Sequence, residues 1–119
     1  MGQDKALLSV GRQTLLERIR DRLLEHCDEI LVVAPREKLE VYREISMVRP
    51  VADASDLQGP LVGLRAGLAT ASHPFIFAVG CDMPDLQPAA VGRILESDPK
   101  FDVVVPVICG QCEPLHARY

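Results

Sequence analysis

Three short, continuous apolar runs divide the chain, at Ile30–Ala34, Phe75–Val79 and Val103–Val105. A continuous run, rather than an alternation of apolar and polar residues, is typical of a strand that is covered on both faces. We therefore predict a strand over each run and a fourth, shorter strand over Val48–Val51.

Helical spacing fills the intervals between these runs. Thr14 and Glu17 form a capping box, which predicts that a helix begins there. Pro60 and Pro88 each stand just inside the start of a further helix, because proline fits the first helical turn. A weaker helix is predicted over Lys38–Glu44. The apolar faces of the three stronger helices are Leu16, Ile19, Leu23 and Cys27; Leu61, Leu64 and Leu68; and Val91, Ile94 and Leu95.

Strands and helices alternate along the whole chain, which predicts an α/β fold with a mostly parallel sheet. A length of 119 residues is about one domain's worth of polypeptide, and no linker or repeat interrupts it. We therefore predict a single domain over residues 1–119. Because aromatic residues are only 4% of the chain and Trp is absent, aliphatic side chains must fill the core.

The net charge limits the kinds of partner that this chain is expected to bind. The chain has 13 Lys and Arg residues and 17 Asp and Glu residues, which gives a net charge of -4. Binding to nucleic acid or to an anionic membrane needs a clustered positive field, so this charge argues against both. No apolar run approaches the roughly 20 residues that span a bilayer, and no signal peptide is visible. The four cysteines are too sparse for a disulfide scaffold, so we predict a reduced, cytoplasmic compartment.

Two carboxylates follow predicted strands. Ligands of an open α/β sheet bind beyond the carboxyl ends of its strands, and Asp53 and Asp82 follow the strands at Val48–Val51 and Phe75–Val79. A turn or helix cap explains Asp82 about as well as a magnesium site does, but Mg²⁺ takes one or two carboxylates plus substrate phosphates. Convergence of both carboxylates on one edge favours the metal, and Pro84 would fix the direction of Asp82.

Other features admit both a structural and a functional interpretation. From position alone Lys5 is favoured as a solvated terminal lysine, and the alternative is a point charge that pairs with a phosphate. Asp53 and Asp56 are individually more often turn residues than ligands. The segment Gly59–Leu64 is either a plain helix start whose glycines allow close packing on the sheet, or a weak anion site at a helix N-terminus.

The cysteines and histidines are assigned no chemistry. Cys109 and Cys112 form a C-x-x-C pair without the second pair of a zinc site or the helical context of a redox motif. Cys27 and Cys81 are interpreted as small buried hydrophobic residues. No metal-ligand spacing relates the three histidines His26, His73 and His116.

Five segments form an ordered series of motifs. They are Met1-Gly2-Gln3-Asp4-Lys5-Ala6, Thr14-Leu15-Leu16-Glu17-Arg18, Asp53 followed by Gly59-Pro60-Leu61-Val62-Gly63-Leu64, Cys81-Asp82-Met83-Pro84, and Glu113 through Tyr119. In this order and spacing they resemble the molybdenum cofactor guanylyltransferases, a family within the nucleotidyltransferases of three-layer, Rossmann-like fold. The resemblance covers nearly the whole chain.

The resemblance implies Mg²⁺-dependent guanylyl transfer. The terminal phosphate of molybdopterin, or of its molybdenum-loaded form, would attack the α-phosphate of GTP, and pyrophosphate would leave. Lys5 would contact the GTP phosphates, Asp53 the nucleotide, and Asp82 would hold Mg²⁺, so that Lys5 and Asp82 are the implied catalytic residues. Such a reaction needs alignment and charge neutralisation rather than a nucleophilic Ser or Cys. A molybdoenzyme or another cofactor-biosynthesis protein is the implied partner.

The sequence also departs from the family pattern. The family signature begins before Met1 with an apolar strand and a Leu-Ala-Gly-Gly-x-Ser-x-Arg loop, and family members run on past Tyr119, so we expect this chain to be a fragment. Because that first strand lies centrally in sheets of this type, its absence would leave two sheet halves with unpaired edges. Pro35 stands where the family often has an Asn that binds nucleotide.

Three alternatives stay open. A sister enzyme of the same fold would transfer a cytidylyl or other nucleotidyl group, and a comparison of GTP with CTP separates it. A non-catalytic remnant would pair its open edge with another chain and bind no metal. A simple nucleotide-binding module would bind GTP and release no pyrophosphate.

Overall fold

The computed structural model describes residues 4–53, 56–57, 59–83 and 85–119. The predictions that involve Met1, Gly2 and Pro84 lie outside these residues. The α-helices in the described ranges are α1 Leu15–Leu23, α2 Leu39–Arg43, α3 Pro60–Thr70 and α4 Pro88–Leu95. The strands there are β1 Ser9–Val10, β2 Gln13–Thr14, β3 Leu31–Ala34, β4 Arg49–Ala52, β5 Phe77–Val79, β6 Val107–Ile108, β7 Gln111–Cys112 and β8 His116–Arg118.

The predicted start of α1 is confirmed in atomic detail. The Glu17 backbone N–H donates to Thr14 Oγ1 at 3.2 Å, and the Thr14 backbone N–H donates to Glu17 Oε2 at 2.8 Å. The helix ends at Leu23, earlier than the apolar spacing suggested. Cys27 still packs against the core, because its N–H donates to the Leu23 carbonyl at 2.8 Å and continues the helical path. The predicted starts of α3 and α4 at Pro60 and Pro88 are also confirmed.

The α/β class is confirmed, and the parallel pairing lies between β3 and β4. Their register runs from Leu31 opposite Arg49 to Ala34 opposite Ala52. The second long-range pair, β5 with β8, is antiparallel. Two local hairpins, β1–β2 and β6–β7, complete the strand pairs of the described residues. The sequence pattern did not predict these antiparallel pairs.

The predicted strand over Val103–Val105 is wrong. Only Val104 pairs, in an isolated antiparallel bridge to Arg118, and Val103 is 49% exposed. Pro106 follows at once, and a proline has no N–H to continue a strand ladder. The apolar run therefore contributes one bridge to the edge of β8 rather than a strand of its own.

Two apolar clusters form the core, and α1 belongs to both. Ile19 and Leu23 pack with Ile30, Leu86 and Val91 on the side of β5 and α4. Leu16 packs with Ala6, Ala34 and Tyr42 on the side of β3 and α2. Apart from Tyr42, the buried residues of both clusters are aliphatic, as the low aromatic content predicted.

A cavity of about 650 Å³ separates the two halves of the sheet. Among the described residues β3 pairs with β4 and β5 pairs with β8, and no ladder joins β3 to β5. The cavity is lined by Val33 of β3, Val79 of β5, Leu23 of α1 and Leu64 of α3. The expected separation into two sheet halves is therefore observed.

Arg118 connects strand β8 to the end of α4 and the segment that follows it. It is 1% exposed, and its guanidinium carbon lies 4.2 Å from the centre of the Phe75 ring. The guanidinium donates hydrogen bonds of 2.6–3.3 Å to the carbonyls of Leu95, Ser97, Asp98 and Phe101. One buried side chain thus satisfies the carbonyls at the end of α4 and in the following loop, which would otherwise be costly to bury.

Candidate functional site

The ends of three strands meet at one mouth of the cavity. Pro35 follows β3, Asp53 follows β4, and Gly80 and Cys81 follow β5, and all four line the cavity together with Gly59 at the start of α3. This is the edge at which open α/β sheets bind their ligands. The structure therefore places the predicted ligand edge beside a cavity large enough to hold part of a nucleotide.

The backbone holds Asp53 at this mouth. Its N–H donates to the Ala34 carbonyl at 2.9 Å, which extends the β3–β4 pairing by one residue. The direction of the Asp53 backbone is therefore set by the parallel sheet rather than by a free loop. Its role in binding a nucleotide stays a prediction.

Asp82 lies in the turn that follows β5 and is exposed. The carboxylate folds back over Gly80, since a Cβ added to Gly80 would lie 2.7 Å from Asp82 Oδ1. Glycine at that position therefore permits the observed position of the carboxylate. Because Cys81 lines the cavity mouth that Asp53 also lines, the two predicted carboxylates follow strands that end at the same mouth.

Lys5 lies in the 3₁₀ turn Lys5–Leu7, which Asp4 caps. Asp4 Oδ1 accepts the Ala6 backbone N–H at 3.1 Å, and Ala6 is buried in the core. The Lys5 side chain is exposed, and its positive charge is close enough to the Cys81 thiol to affect the pKa of that thiol. The structure thus brings Lys5 to the end of β5, which the sequence alone did not place.

A buried tyrosine anchors this turn, and sequence reasoning missed it. Tyr42 of α2 is 4% exposed and donates a short hydrogen bond to Asp4 Oδ2, and Lys38 Nζ lies 3.5 Å from the same oxygen. Burial raises the pKa of Asp4, but the bonds from Tyr42 and the Ala6 N–H and the charge of Lys38 lower it further than burial raises it. The available signal was a lone aromatic residue in a short helix that also holds two charged residues.

The prediction that Cys81 is buried is wrong. Cys81 is exposed rather than buried, while Cys27 is half-buried as a small hydrophobic residue. Even so, partial desolvation of the Cys81 thiol and the charge of Asp82 raise its pKa, so the thiol is protonated at neutral pH. A protonated thiol is a poor nucleophile. The prediction that the chemistry uses no cysteine nucleophile stays a prediction.

The predicted apolar face of α3 is only partly correct. Leu64 lines the cavity, but Leu61 and Leu68 are 78% and 46% exposed. The helix instead approaches the sheet through Gly67, where an added Cβ would lie 3.8 Å from Ile76 and 3.9 Å from Val33. At Gly63 nothing lies within 4 Å of an added Cβ, so close packing applies to one of the two glycines.

The C-x-x-C pair forms the turn and end of a hairpin. Cys109 and Gly110 both have positive φ, 51° and 80°, between β6 and β7, and Cys112 ends β7. Both cysteines are exposed. Of the histidines, His116 is the buried one, and its ring meets that of Phe77 edge-on at 5.1 Å. Cys109, Cys112 and His116 lie outside the lining of the cavity, whereas His26 and His73 are part of it.

Magnesium binding at Asp82 stays a prediction. Among the described residues no group of three or more His, Cys, Asp or Glu side chains is arranged to hold a metal. Mg²⁺ typically uses one or two protein carboxylates and completes its shell with substrate phosphates and water. The exposed carboxylate of Asp82 therefore fits a magnesium ion that arrives with a triphosphate.

The whole chain, residues 1–119, matches the family model described as "MobA-like NTP transferase domain". The chain therefore belongs to the MobA-like NTP transferase domain family. The nucleotidyltransferase class implied by the resemblance of the ordered motifs is the class of that family.

Individual relatives carry a more specific name. A protein named "Molybdenum cofactor guanylyltransferase" from Desulfosudis oleivorans is 33% identical over 99% of this chain and 57% of its own length. A "Probable molybdenum cofactor guanylyltransferase" from Pelotomaculum thermopropionicum is 34% identical over 100% of this chain and 57% of its own length. The chain thus spans little more than half the length of these relatives.

A solved structure shares the fold. The crystal structure of "Molybdopterin-guanine dinucleotide biosynthesis protein A" from Archaeoglobus fulgidus superimposes with a TM-score of 0.79 at 20% identity. The match covers 99% of this chain and 60% of that protein. In the described part of this chain, no helix has the length and apolar character needed to cross a membrane.

Proposed function

We propose that the protein containing this chain transfers GMP from GTP to molybdopterin or the molybdenum cofactor, with release of pyrophosphate. The observation that carries the proposal is that Asp53 and Cys81, the neighbour of Asp82, line one cavity in a chain that belongs to a nucleotidyltransferase family. The guanylyltransferase names of the relatives support guanine over other bases.

Each predicted residue has a distinct task in this proposal. Lys5 neutralises charge on the triphosphate, and its exposure beside the end of β5 leaves its ammonium accessible to a phosphate. Asp53 contacts the nucleotide from the end of β4. Asp82 holds Mg²⁺ through its exposed carboxylate, and a bound Mg²⁺ would neutralise developing charge on the phosphates.

The protein's own contribution to the reaction is orientation and charge. The acceptor phosphate attacks the α-phosphorus of GTP, the bond from that phosphorus to the bridging oxygen breaks, and pyrophosphate leaves with the bonding electron pair. Phosphoryl and nucleotidyl transfers of this type depend on alignment and electrostatic stabilisation. The protonated Cys81 thiol and the turn position of Asp82 fit a direct transfer without a covalent enzyme intermediate.

The proposal also includes a cytoplasmic location and a protein partner. A net charge of -4 supports small-molecule substrates rather than nucleic acid. We propose that the product passes to a molybdoenzyme or to another cofactor-biosynthesis protein.

Thermal melts of the protein in Mg²⁺ alone, Mg·GTP and Mg·CTP test the proposal. A ligand at a hundred times its Kd adds about 2.7 kcal/mol of stability, which raises the Tm by several degrees. We expect GTP to raise the Tm and CTP to leave it unchanged, and pyrophosphate release in the presence of molybdopterin to follow.

Matched variants test whether the Tm shift with Mg·GTP depends on the predicted site. Asp82→Ala is expected to remove the Mg·GTP shift, whereas Asp102→Ala, which removes another exposed carboxylate, is expected to keep it. A shift with CTP alone would assign the protein to cytidylyl transfer. A shift with GTP and no pyrophosphate release would reduce the function to nucleotide binding.

A further inference from the structure

We propose that Asp4 and Tyr42 are positioning residues for Lys5. Their hydrogen bond holds the Lys5 backbone where the lysine side chain can contact the nucleotide phosphates. The inference rests on the proposed function, in which Lys5 contacts the triphosphate. It adds two residues, one of them on a separate helix, to the determinants of nucleotide affinity.

Asp4 is bonded on both carboxylate oxygens. Oδ1 accepts the Ala6 N–H at 3.1 Å, while Oδ2 accepts the Tyr42 hydroxyl and lies 3.5 Å from Lys38 Nζ. The Asp4 backbone carbonyl also accepts the Leu7 N–H at 3.1 Å, which closes the turn. Lys5 stands between these contacts, so the bonds on either side of it fix the path of its backbone.

Tyr42 connects the turn to the rigid part of the fold. Its side chain is 4% exposed and packs with Ala6, Leu16 and Ala34 in one apolar cluster. Ala34 is the last residue of β3, so the cluster links the turn to the strand end beside Asp53. The hydroxyl of Tyr42 thus holds Asp4 in place beside the cavity mouth. Because Lys5 follows Asp4 directly, the same contact holds the Lys5 backbone there.

The same network keeps the charge of Lys5 available. Asp4 pairs with Lys38, and within the described residues Lys5 forms no ion pair. Without Tyr42 and Lys38, the Asp4 carboxylate would have fewer partners and would compete with phosphate for the adjacent lysine. Positioning and charge balance therefore act in the same direction, toward tighter binding of an anionic ligand.

The test is a double-mutant cycle on the Kd of Mg·GTP, measured by calorimetry. Tyr42→Phe removes only the hydroxyl, and Tyr119→Phe is the matched control, because the Tyr119 hydroxyl donates to the Pro114 carbonyl at 2.9 Å outside the cavity. Holding one side chain in place is worth about two- to tenfold in affinity, so Tyr42→Phe should raise the Kd by that factor. Lys38→Ala should raise it less, since Lys38 is half-exposed and its contact is longer.

The Lys5→Ala background separates positioning from a general structural effect. If Tyr42 acts through Lys5, Tyr42→Phe will not raise the Kd further once Lys5 is absent. A Tyr42→Phe protein that binds as Tyr119→Phe does, or one that loses the same factor with and without Lys5, overturns the inference. Wild-type protein that binds no Mg·GTP overturns the proposed function, and the positioning role falls with it.

Discussion

The cavity mouth and strand β8 use their polar residues in opposite ways. Asp53 and Asp82 follow the ends of β4 and β5, where Asp53 is partly exposed and Asp82 is exposed. His116 and Arg118 lie within β8 and are 8% and 1% exposed. A polar group at a strand end can meet a ligand, whereas one within a strand must find its partners inside the protein.

This difference shows why polar residues in the same half of the sheet can serve different purposes. Arg118 donates to carbonyls at the end of α4 and beyond it, so its removal leaves these part-buried acceptors without that donor. Asp82 folds over a glycine in an exposed turn, so its removal leaves no buried group unpaired. Substitutions on β8 and at the cavity mouth should therefore separate stability from ligand binding.

The largest stability loss is expected from Arg118→Met. The substitution leaves several part-buried carbonyls without a donor, and each buried acceptor left unsatisfied costs about 1–3 kcal/mol. Chemical denaturation of the variant, compared with the exposed-residue control Arg12→Met, measures the effect. A change similar to that of the control would mean that water replaces the guanidinium at these carbonyls.

Leu23→Ala is expected to destabilise the protein by about 2–5 kcal/mol, because it opens a void in a packed cluster. Leu23 is 6% exposed and contacts the core on the β5 side, where α1 joins the two halves. Leu61→Ala makes the same chemical change at a residue that is 78% exposed and should cost little. Equal losses in the free energy of unfolding would contradict the interpretation that α1 packs into the core on both sides.

Asp82→Ala should abolish turnover and leave stability nearly unchanged. An exposed carboxylate has little packing to lose, whereas loss of a metal ligand or charge-stabilising group commonly reduces kcat by about 100-fold or more. Pyrophosphate release and the Tm, measured on the same sample, check both parts. Loss of folding together with loss of activity would show that Asp82 is structural.

The smallest effect is a pH dependence at Asp4. Burial raises its pKa, but hydrogen bonds from Tyr42 and Ala6 and the charge of Lys38 lower the pKa below the usual 3.8. A lowered pKa gives stability that is present above pH 3.8 and is lost as pH falls through the folded-state value. Asp4→Asn should therefore differ from wild type by less than about 1 kcal/mol at pH 7.

Unfolding curves between pH 7 and pH 3 measure this difference. We expect it to shrink as the pH falls from 3.8 toward the lower folded-state pKa, because over this range the unfolded chain binds the proton more readily than the folded protein does. Asp102→Asn removes an exposed carboxylate and serves as the control. A difference that stays constant down to pH 3 would mean that the Asp4 charge does not contribute through this network.

Local signals in the sequence determined much of the fold. The Thr14–Glu17 capping box and the prolines at 60 and 88 set the helix starts, because capping and proline geometry act within a few residues. The alternation of apolar runs with helical spacing determined the α/β class. The order of Lys5, Asp53 and Asp82 along the chain determined the candidate site, although their roles stay predictions.

Tertiary structure decided the rest, because those contacts join distant residues. Tyr42 meets Asp4 across 38 positions, and Arg118 meets Leu95 across 23. The Val103–Val105 run had strand composition, yet the position of β8 and the following Pro106 allowed only one bridge. Burial and pairing depend on which element occupies the neighbouring position, and the pattern of a single segment does not contain that information.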